Sequence, residues 1–233
     1  MNDRERGRAD TRQHILEVAT RLFAEKGFSD TTIREICHAA HANVAAVNYH
    51  FRSKKRLYDA AWRYAYQITS EARDLNAQHD EARSPQEVIR AFVQARVEDA
   101  FSDGPPRYFR EILMKEHAEP TPALRDIVLE VLKPQAERLS RAIAEMLGLE
   151  PDDHQVRLCV FSLAAQLVVL NAYRRVARRL FNGQPPVQLD ADAMVEHITR
   201  FSFGGVRATQ EASQVPASPD CMARHDPESM AWQ

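Results

Sequence analysis

From Thr11 the apolar positions Ile15, Leu16, Ala19, Leu22 and Phe23 recur at steps of three and four residues, the helical period, and Gly27 stands where a glycine ends a helix. The spacing predicts a first helix there. In "TTIREI", Thr32 can cap a second, short helix, and Glu35 three residues on completes a capping box, in which each side chain satisfies an orphan amide of the first turn. That helix should reach about Ala40. "HANV" then breaks the pattern, "AAVNYHF" resumes it for a third helix at about 44–50, and Ser53 can cap a fourth with Leu57, Ala61 and Trp62 turned inward. Two short helices a few residues apart, braced by longer ones, predict a helix-turn-helix.

Beyond about residue 70 the helical runs lengthen. Ser84-Pro85 pairs a cap with a first-turn proline and opens a helix carrying Val88, Phe92, Val93, Ala95 and Val97. "SDGPP" is a loop, "RYFREILMKEH" a helix ended by Pro120, and "TPALRDIVLEVLKPQAERLSRAIAEMLGL" a long run closed near Gly148. Pro134 inside that run should kink or split it, because proline has no amide to donate and its ring clashes with the preceding turn. Two more helices are expected, at about 152–181 and 190–204, separated by "NGQPP". No segment reads as a strand and no repeat period emerges. The expected fold is all-α: a charged arm at 1–10, a three-helix helix-turn-helix domain at 11–62, a larger helical domain at 63–206, and a proline-containing tail at 207–233 read as disordered.

Composition narrows this picture. With 44% hydrophobic and 27% charged residues and only 7 Gly, the chain suits a helical globular protein and excludes a disulfide scaffold. The 31 basic and 33 acidic residues nearly cancel, so any attraction to nucleic acid must be local. Cys37, Cys159 and Cys221 are far apart, form no CxxC pair and read as free thiols of a reducing cytoplasm. The charged N-terminus lacks the apolar core of a signal peptide. The most apolar stretch, "CVFSLAAQLVVL", is interrupted by Ser162 and Gln166 and falls short of the roughly 20 residues that a membrane span needs. No membrane partner is expected. Cys37 and His41 stand four apart with His38 beside them, as a metal pair could, but the short packed helix expected at Cys37 and the absence of an evident third and fourth ligand mean that neither a metal nor a cofactor is expected.

The stretch "NVAAVNYHFRSKK" sets Tyr49-His50-Phe51 ahead of Arg52, Lys54, Lys55 and Arg56 at the first turn of a helix. A helix N-terminus carries partial positive charge, and each cation placed there costs a few tenths of a kcal/mol, up to about 1. An external anion should offset that cost. Residues 11–62 resemble the DNA-binding domain of the TetR family of transcriptional regulators, in "ILEVATRLFAEKGFSDTTIREI" and "YHFRSKKRLY". The resemblance is carried by Gly27-Phe28, Thr32, Tyr49-His50-Phe51 and Ser53-Lys54 in combination. One departure stands out: the family usually has Gly in the turn where this chain has His41, so either a left-handed His41 or an altered turn is expected.

The resemblance implies that the third helix lies in the DNA major groove. Arg34, Asn43, Val44, Ala45, Ala46 and Asn48 become the candidates for base edges. Arginine can donate twice to guanine, asparagine can pair with adenine, and the two alanines admit a thymine methyl. Thr32, Tyr49, His50 and Lys54 match the family's phosphate-contacting positions, and Lys55 joins them from the basic cluster. DNA phosphate would supply the missing anion.

For the remainder, the resemblance implies a helical domain that binds a small molecule and forms a homodimer through the last two long helices. Leu163, Leu167, Leu170 and Tyr173 offer an apolar stripe for that contact. "FREILMKEHAEPTPALRDIVLEVLKP" is similar to a subgroup with a like Arg-Glu and Pro-Thr-Pro-Ala stretch, some of which answer to antibiotics or other xenobiotics. Trp62, Tyr66, Phe92, Tyr108, Phe109, Leu113 and Phe161 could line an apolar cavity. Arg110, His117, Gln166 or Asn171 would orient an apolar or amphipathic effector there. The function expected is a cytoplasmic, homodimeric repressor that a small molecule releases from a palindromic operator. An activator, or a regulator answering a protein partner, is the alternative within the family. An all-helical enzyme is disfavoured, because His117 with Glu116 and Glu119 is the nearest thing to a catalytic cluster and reads as ordinary helix surface.

Overall fold

The computed structural model describes residues 3–71, 83–102, 104–180 and 190–214, with side-chain surroundings given for 7–71, 83–102, 104–170 and 190–212. Among the described residues ten α-helices follow one another: α1 Asp3–Asp30, α2 Ile33–Ala39, α3 Val44–Phe51, α4 Lys54–Glu71, α5 Pro85–Phe101, α6 Arg107–Ala118, α7 Ala123–Ile127, α8 Lys133–Leu147, α9 His154–Leu180 and α10 Ala191–Gln214. No strand occurs among the described residues.

The predicted punctuation is realised in hydrogen bonds. Thr32 Oγ1 accepts from Glu35 N, and the Glu35 carboxylate lies against Lys26 Nζ, whose hydrogen bond holds its pKa below the ordinary value. Ser84 and Glu87 form a full capping box with Pro85 in the first turn. Gly27 breaks α1 with φ 84 and ψ 178, a region open essentially to glycine alone, so the last residues of α1 form a separate turn. Pro134 falls in the first turn of α8, and the residues ahead of it, Val128–Leu132, widen into a π-helical turn. The widening accommodates the missing proline amide and the crowding of its ring against the preceding carbonyls.

The helix-turn-helix turn keeps its shape without glycine. His41 takes φ 48, its N–H donates to His38 O, and Ala42 N–H donates to Cys37 O at 2.9 Å, the paired bonds of a Schellman ending. Between α3 and α4 the chain reverses within two residues: Arg52 adopts φ 66 and ψ −38, and Ser53 N–H donates to Phe51 O at 2.8 Å.

Two cores organise the molecule. The first gathers Ile15, Ala19 and Phe23 of α1 with Ile36, Val47, Phe51, Leu57, Tyr58 and Trp62, and continues without a gap into Phe109 and Ile112 of α6 and Ile127 and Val131 beyond it. The second joins Val93 and Val97 of α5, Leu139 and Ile143 of α8, Leu163 and Leu167 of α9, and Val195 and Ile198 of α10. The N-terminal helices therefore share their core with α6, and the boundary expected after residue 62 falls inside α4, which is unbroken from Lys54 to Glu71.

Two terminal expectations change. Residues 3–10, read as an arm, are the first turns of α1; their charged residues and alanine favour helix, and only Gly7 opposes it. Residues 207–214, read as part of a disordered tail, complete α10, where Val206 is buried and Gln210 Nε2 donates to Met146 O. The rest of the tail, Cys221 included, lies outside the described residues. Among the described residues no helix is long and apolar enough to cross a membrane.

Candidate nucleic-acid interface and helical chamber

The third helix is amphipathic over only eight residues. Val47 and Phe51 anchor it in the first core, which leaves Val44, Ala45, Asn48 and Tyr49 facing solvent. Arg34 on α2 is exposed as well. Two candidates for base edges are otherwise engaged. Asn43 Oδ1 accepts from Ala46 N at 2.7 Å as the N-cap of α3, and Ala46 is half-buried against the core. A cap needs only the amide oxygen, so the Asn43 amino group keeps its donors.

Around this face stand the candidate phosphate ligands. Tyr49 is 68% exposed, with its ring edge-on to His50. Thr32 and Lys55 are exposed, while His50 is half-buried. Lys54 has partners inside the chain: Nζ donates to Ser29 O at 3.2 Å and lies 4.5 Å from the centre of the Phe28 ring. Part of the charge problem at the start of α4 is thus met by the end of α1, a contact 25 residues away in sequence. The structure adds two cations that the sequence pattern did not single out. Arg8 lies 6.0 Å from the Tyr49 ring centre and Arg12 lies 5.2 Å from that of Phe51, because α1 extends upstream past α3. Reading residues 1–10 as an arm hid them. Cys37, by contrast, is packed in the core, and burial raises its thiol pKa. Among the described residues no group of three potential metal ligands forms.

A cavity of about 130 Å³ lies between α5, α6, the start of α8 and α9. Of the candidate effector contacts, Phe92, Phe109, Arg110, Leu113 and His117 line it, joined by Arg96, Asp99, Leu132 and Gln135, which the sequence did not single out, and by Leu167, which it had assigned to the dimer stripe. Arg96 stands one turn from Phe92 and three residues from Asp99, a spacing that signals a shared helix face once the face is known to be concave. Other candidates lie elsewhere. Trp62, 1% exposed, belongs to the first core beneath the Arg63 guanidinium. Tyr66 sits behind Phe109, the ring centres 5.1 Å apart, and Tyr108 also packs on the first core. Gln166 lines a separate crevice between α9 and α10. Asn171 and Tyr173 lie on turns of α9 whose side chains are outside the described residues.

Glu116, read as surface, is 1% exposed. Its carboxylate accepts from Tyr58 Oη at 2.6 Å, from Thr121 N at 2.9 Å and from Thr121 Oγ1 at 2.7 Å. Burial, and then the carboxylate beside it, push the Tyr58 hydroxyl pKa well above its ordinary value. A single side chain thus ties α6 to α4 and orders the Pro120–Pro122 turn. The neighbouring His117 donates from Nδ1 to Leu113 O at 2.7 Å. Glu116 is held by structural bonds, so no catalytic pair forms with His117.

On α9 the apolar stripe is displaced from its expected position. Leu163 and Leu167 are 3% and 4% exposed within the second core, and Leu170 packs against it. Among the described residues of these two helices, the large exposed apolar side chains are Leu158, Phe161, Val168 and Val169 on α9 and Phe201 on α10. Phe161, a cavity candidate in the sequence, is 73% exposed on this outer face. A helix covered on one side and apolar on the other has two stripes, and periodicity alone does not say which one meets the core.

Comparison with known proteins is consistent with this architecture. Residues 15–61 match the profile of the bacterial regulatory proteins of the tetR family, and residues 85–206 match the C-terminal domain of the HTH-type transcriptional dual regulator CecR. The HTH-type transcriptional regulator AcrR of Shigella flexneri is 33% identical over 104 residues, 45% of this chain and 48% of that protein. The chain thus spans about half the length of this curated relative. Among solved structures, AibR bound to isovaleryl coenzyme A and operator DNA superposes with a TM-score of 0.61 at 20% identity, covering 81% of this chain and 96% of that one. A putative transcriptional regulator from Saccharomonospora viridis in complex with choline gives 0.61 at 20% identity, covering 83% and 95%.

Proposed function

The chain belongs to the TetR family of bacterial transcriptional regulators, which are DNA-binding proteins and not enzymes, and from that premise we propose that it is a repressor released from its operator by a small molecule. The active species is a homodimer on a palindromic site. Arg34, Val44, Ala45 and Asn48 face base edges, and Tyr49, His50, Lys55 and Arg8 grip phosphates. The apolar face formed by Leu158, Phe161, Val169 and Phe201 supports dimerisation through α9 and α10. Twofold symmetry would then set two α3 helices one turn of DNA apart, about 34 Å.

One observation carries the reading: α6 belongs to both halves of the molecule. Phe109, Leu113 and His117 line the cavity, while Glu116 on the same helix binds Tyr58 of α4. A ligand that shifts α6 must shift α4, and with it α3 through the two-residue Arg52 turn. DNA affinity then falls by as much as the ligand's own affinity differs between the two arrangements. The resemblance of the C-terminal region to that of a dual regulator favours a second reading, in which the same coupling strengthens DNA binding at some sites.

The test is DNA binding by the purified protein to the region upstream of its own gene, titrated against salt, with Tyr49→Ala and Lys54→Ala as controls, followed by a ligand screen on the complex. Salt-sensitive binding that Tyr49→Ala weakens, and that a ligand relieves, is the expected result. Ligand and operator that bind without affecting each other would sink the release mechanism.

A further inference from the structure

The π-helical turn Val128–Leu132 touches both halves of the molecule. Leu132 and, just beyond the turn, Gln135 line the cavity, while Val131 is 1% exposed in the first core. The residue before Val131 reaches α4: Arg63 Nε donates to Glu130 Oε2 at 2.9 Å, and Nη2 of the same guanidinium donates to Oε1. Arg63 is itself pinned to α4. Its Nη1 donates to Asp59 O at 3.2 Å, and its Cζ lies 4.3 Å from the centre of the Trp62 ring in the first core. Asp126 of α7, with Oδ2 4.0 Å from Arg63 Nη2, adds a second carboxylate beside the pair.

The pitch of the turn answers to packing on both sides of it. The buried positions Ala123, Ile127, Val131, Leu139 and Ile143 are separated by multiples of four residues. Four residues of a regular α-helix turn about 40° past a full rotation, so an unbroken α-helix would swing this stripe away from its neighbours. The wider turn takes up the excess. Pro134 acts in the same direction, because it has no amide to offer the Glu130 carbonyl four residues earlier, the bond that α pitch would add. Glu130 and Leu132 stand two residues apart in the turn, so a change of pitch re-aims both.

From this placement, and resting on the reading of the cavity as the effector site, we infer that the π-helical turn is a second relay between effector and DNA, with Glu130 the positioning residue that passes its pitch to α4 through Arg63. An occupant pressing on Leu132 and Gln135 shifts the turn, the turn carries Glu130, and Arg63 moves the stretch of α4 that leads back to α3. This route runs beside α6 and uses none of the Glu116 bonds. Both partners of the pair are half-exposed, so it biases the equilibrium by a factor of about two to five rather than deciding it alone.

Linkage is reciprocal, so the relay can be read from the DNA end. The full-length protein is followed by hydrogen exchange, alone and bound to a duplex obtained with it by random-site selection. DNA should slow exchange in the turn by about two- to fivefold. Glu130→Gln and Arg63→Gln should each abolish that slowing while the response of α6 persists. A merely structural role would shift exchange equally with and without DNA and leave the ratio intact. Gln135→Trp, which puts bulk into the cavity beside the turn, should weaken operator binding by about two- to fivefold, and by less when combined with Glu130→Gln. A turn indifferent to DNA overturns the inference. So does a response that survives both glutamine substitutions, or a Gln135→Trp effect of equal size in either background. With α6 still responding to DNA, those results leave the release mechanism standing, whereas a selection that yields no bound duplex removes the regulator reading and the relay with it.

Discussion

Tyr58→Phe removes one oxygen and nothing else. That oxygen lies in a fully buried junction 2.6 Å from the Glu116 carboxylate, and burial of both residues is nearly complete. Losing the bond leaves Glu116 Oε1 with Thr121 Oγ1 as its remaining hydrogen-bond donor in a buried site, which costs about 1–3 kcal/mol. Glu116→Ala also strands Thr121 N and Oγ1 and opens a void beside α4, so its cost should reach about 3–5 kcal/mol. Both values are read from urea unfolding of the full chain, with the double variant closing the cycle. The double variant should lose less than the two single losses added together, by at least about 1 kcal/mol, because the pair can be broken only once. The reasoning also predicts a functional signature: Tyr58→Phe should weaken the coupling between ligand and DNA more than either binding reaction alone. Strict additivity, or a Tyr58→Phe loss below about 0.5 kcal/mol, would refute the account of Glu116 as the tie between α4 and α6.

Other substitutions test the remaining parts of the molecule. His41→Gly should raise stability by about 1 kcal/mol, since the left-handed φ of 48 burdens any residue with a Cβ; a lower urea midpoint would contradict the Schellman geometry. Phe161→Glu should turn the dimer into monomer in light scattering and weaken operator binding, while leaving the helical spectrum intact; an unchanged dimer would place the interface elsewhere. Arg8→Ala should lower the log-log salt slope of DNA binding by about 0.9 for each phosphate it no longer neutralises, and by twice that when both subunits carry the substitution; an unchanged slope would remove Arg8 from the interface. Arg63, hydrogen-bonded to Glu130 across α4 and the π-helical turn, depresses the carboxyl below its ordinary value of 4.5. A depressed folded pKa stabilises above the unfolded value and loses that contribution as pH falls through the folded one. Wild type and Glu130→Gln should therefore differ in urea midpoint near neutral pH and converge as the pH falls from 4.5 through the depressed folded value, and a gap that does not narrow would argue against the ion pair.

Much of the helix pattern is legible in the chain because the signals are local. Thr32, Ser84 and Ser53 each cap the helix that begins beside them, Gly27 and Gly148 permit positive φ, and Pro134 denies an amide to the helix it enters. The solvent face of α3 is legible for the same reason: Val47 and Phe51 stand four apart and leave Asn48 and Tyr49 outside. Tertiary structure decides which surface each helix turns to which neighbour, and no local signal encodes that. Leu163 and Phe161 sit two residues apart on one helix, and only the packing of α5 and α10 against α9 makes the first core and the second surface. Glu116 and His117 look alike in sequence, yet the approach of Tyr58 buries one and the other is left beside the cavity. Arg96 shows the same limit, since it lines a cavity only where α6, α8 and α9 close around it. Caps and periods are settled within a turn or two of chain, whereas burial and charge balance are sums over neighbours that the fold alone brings together.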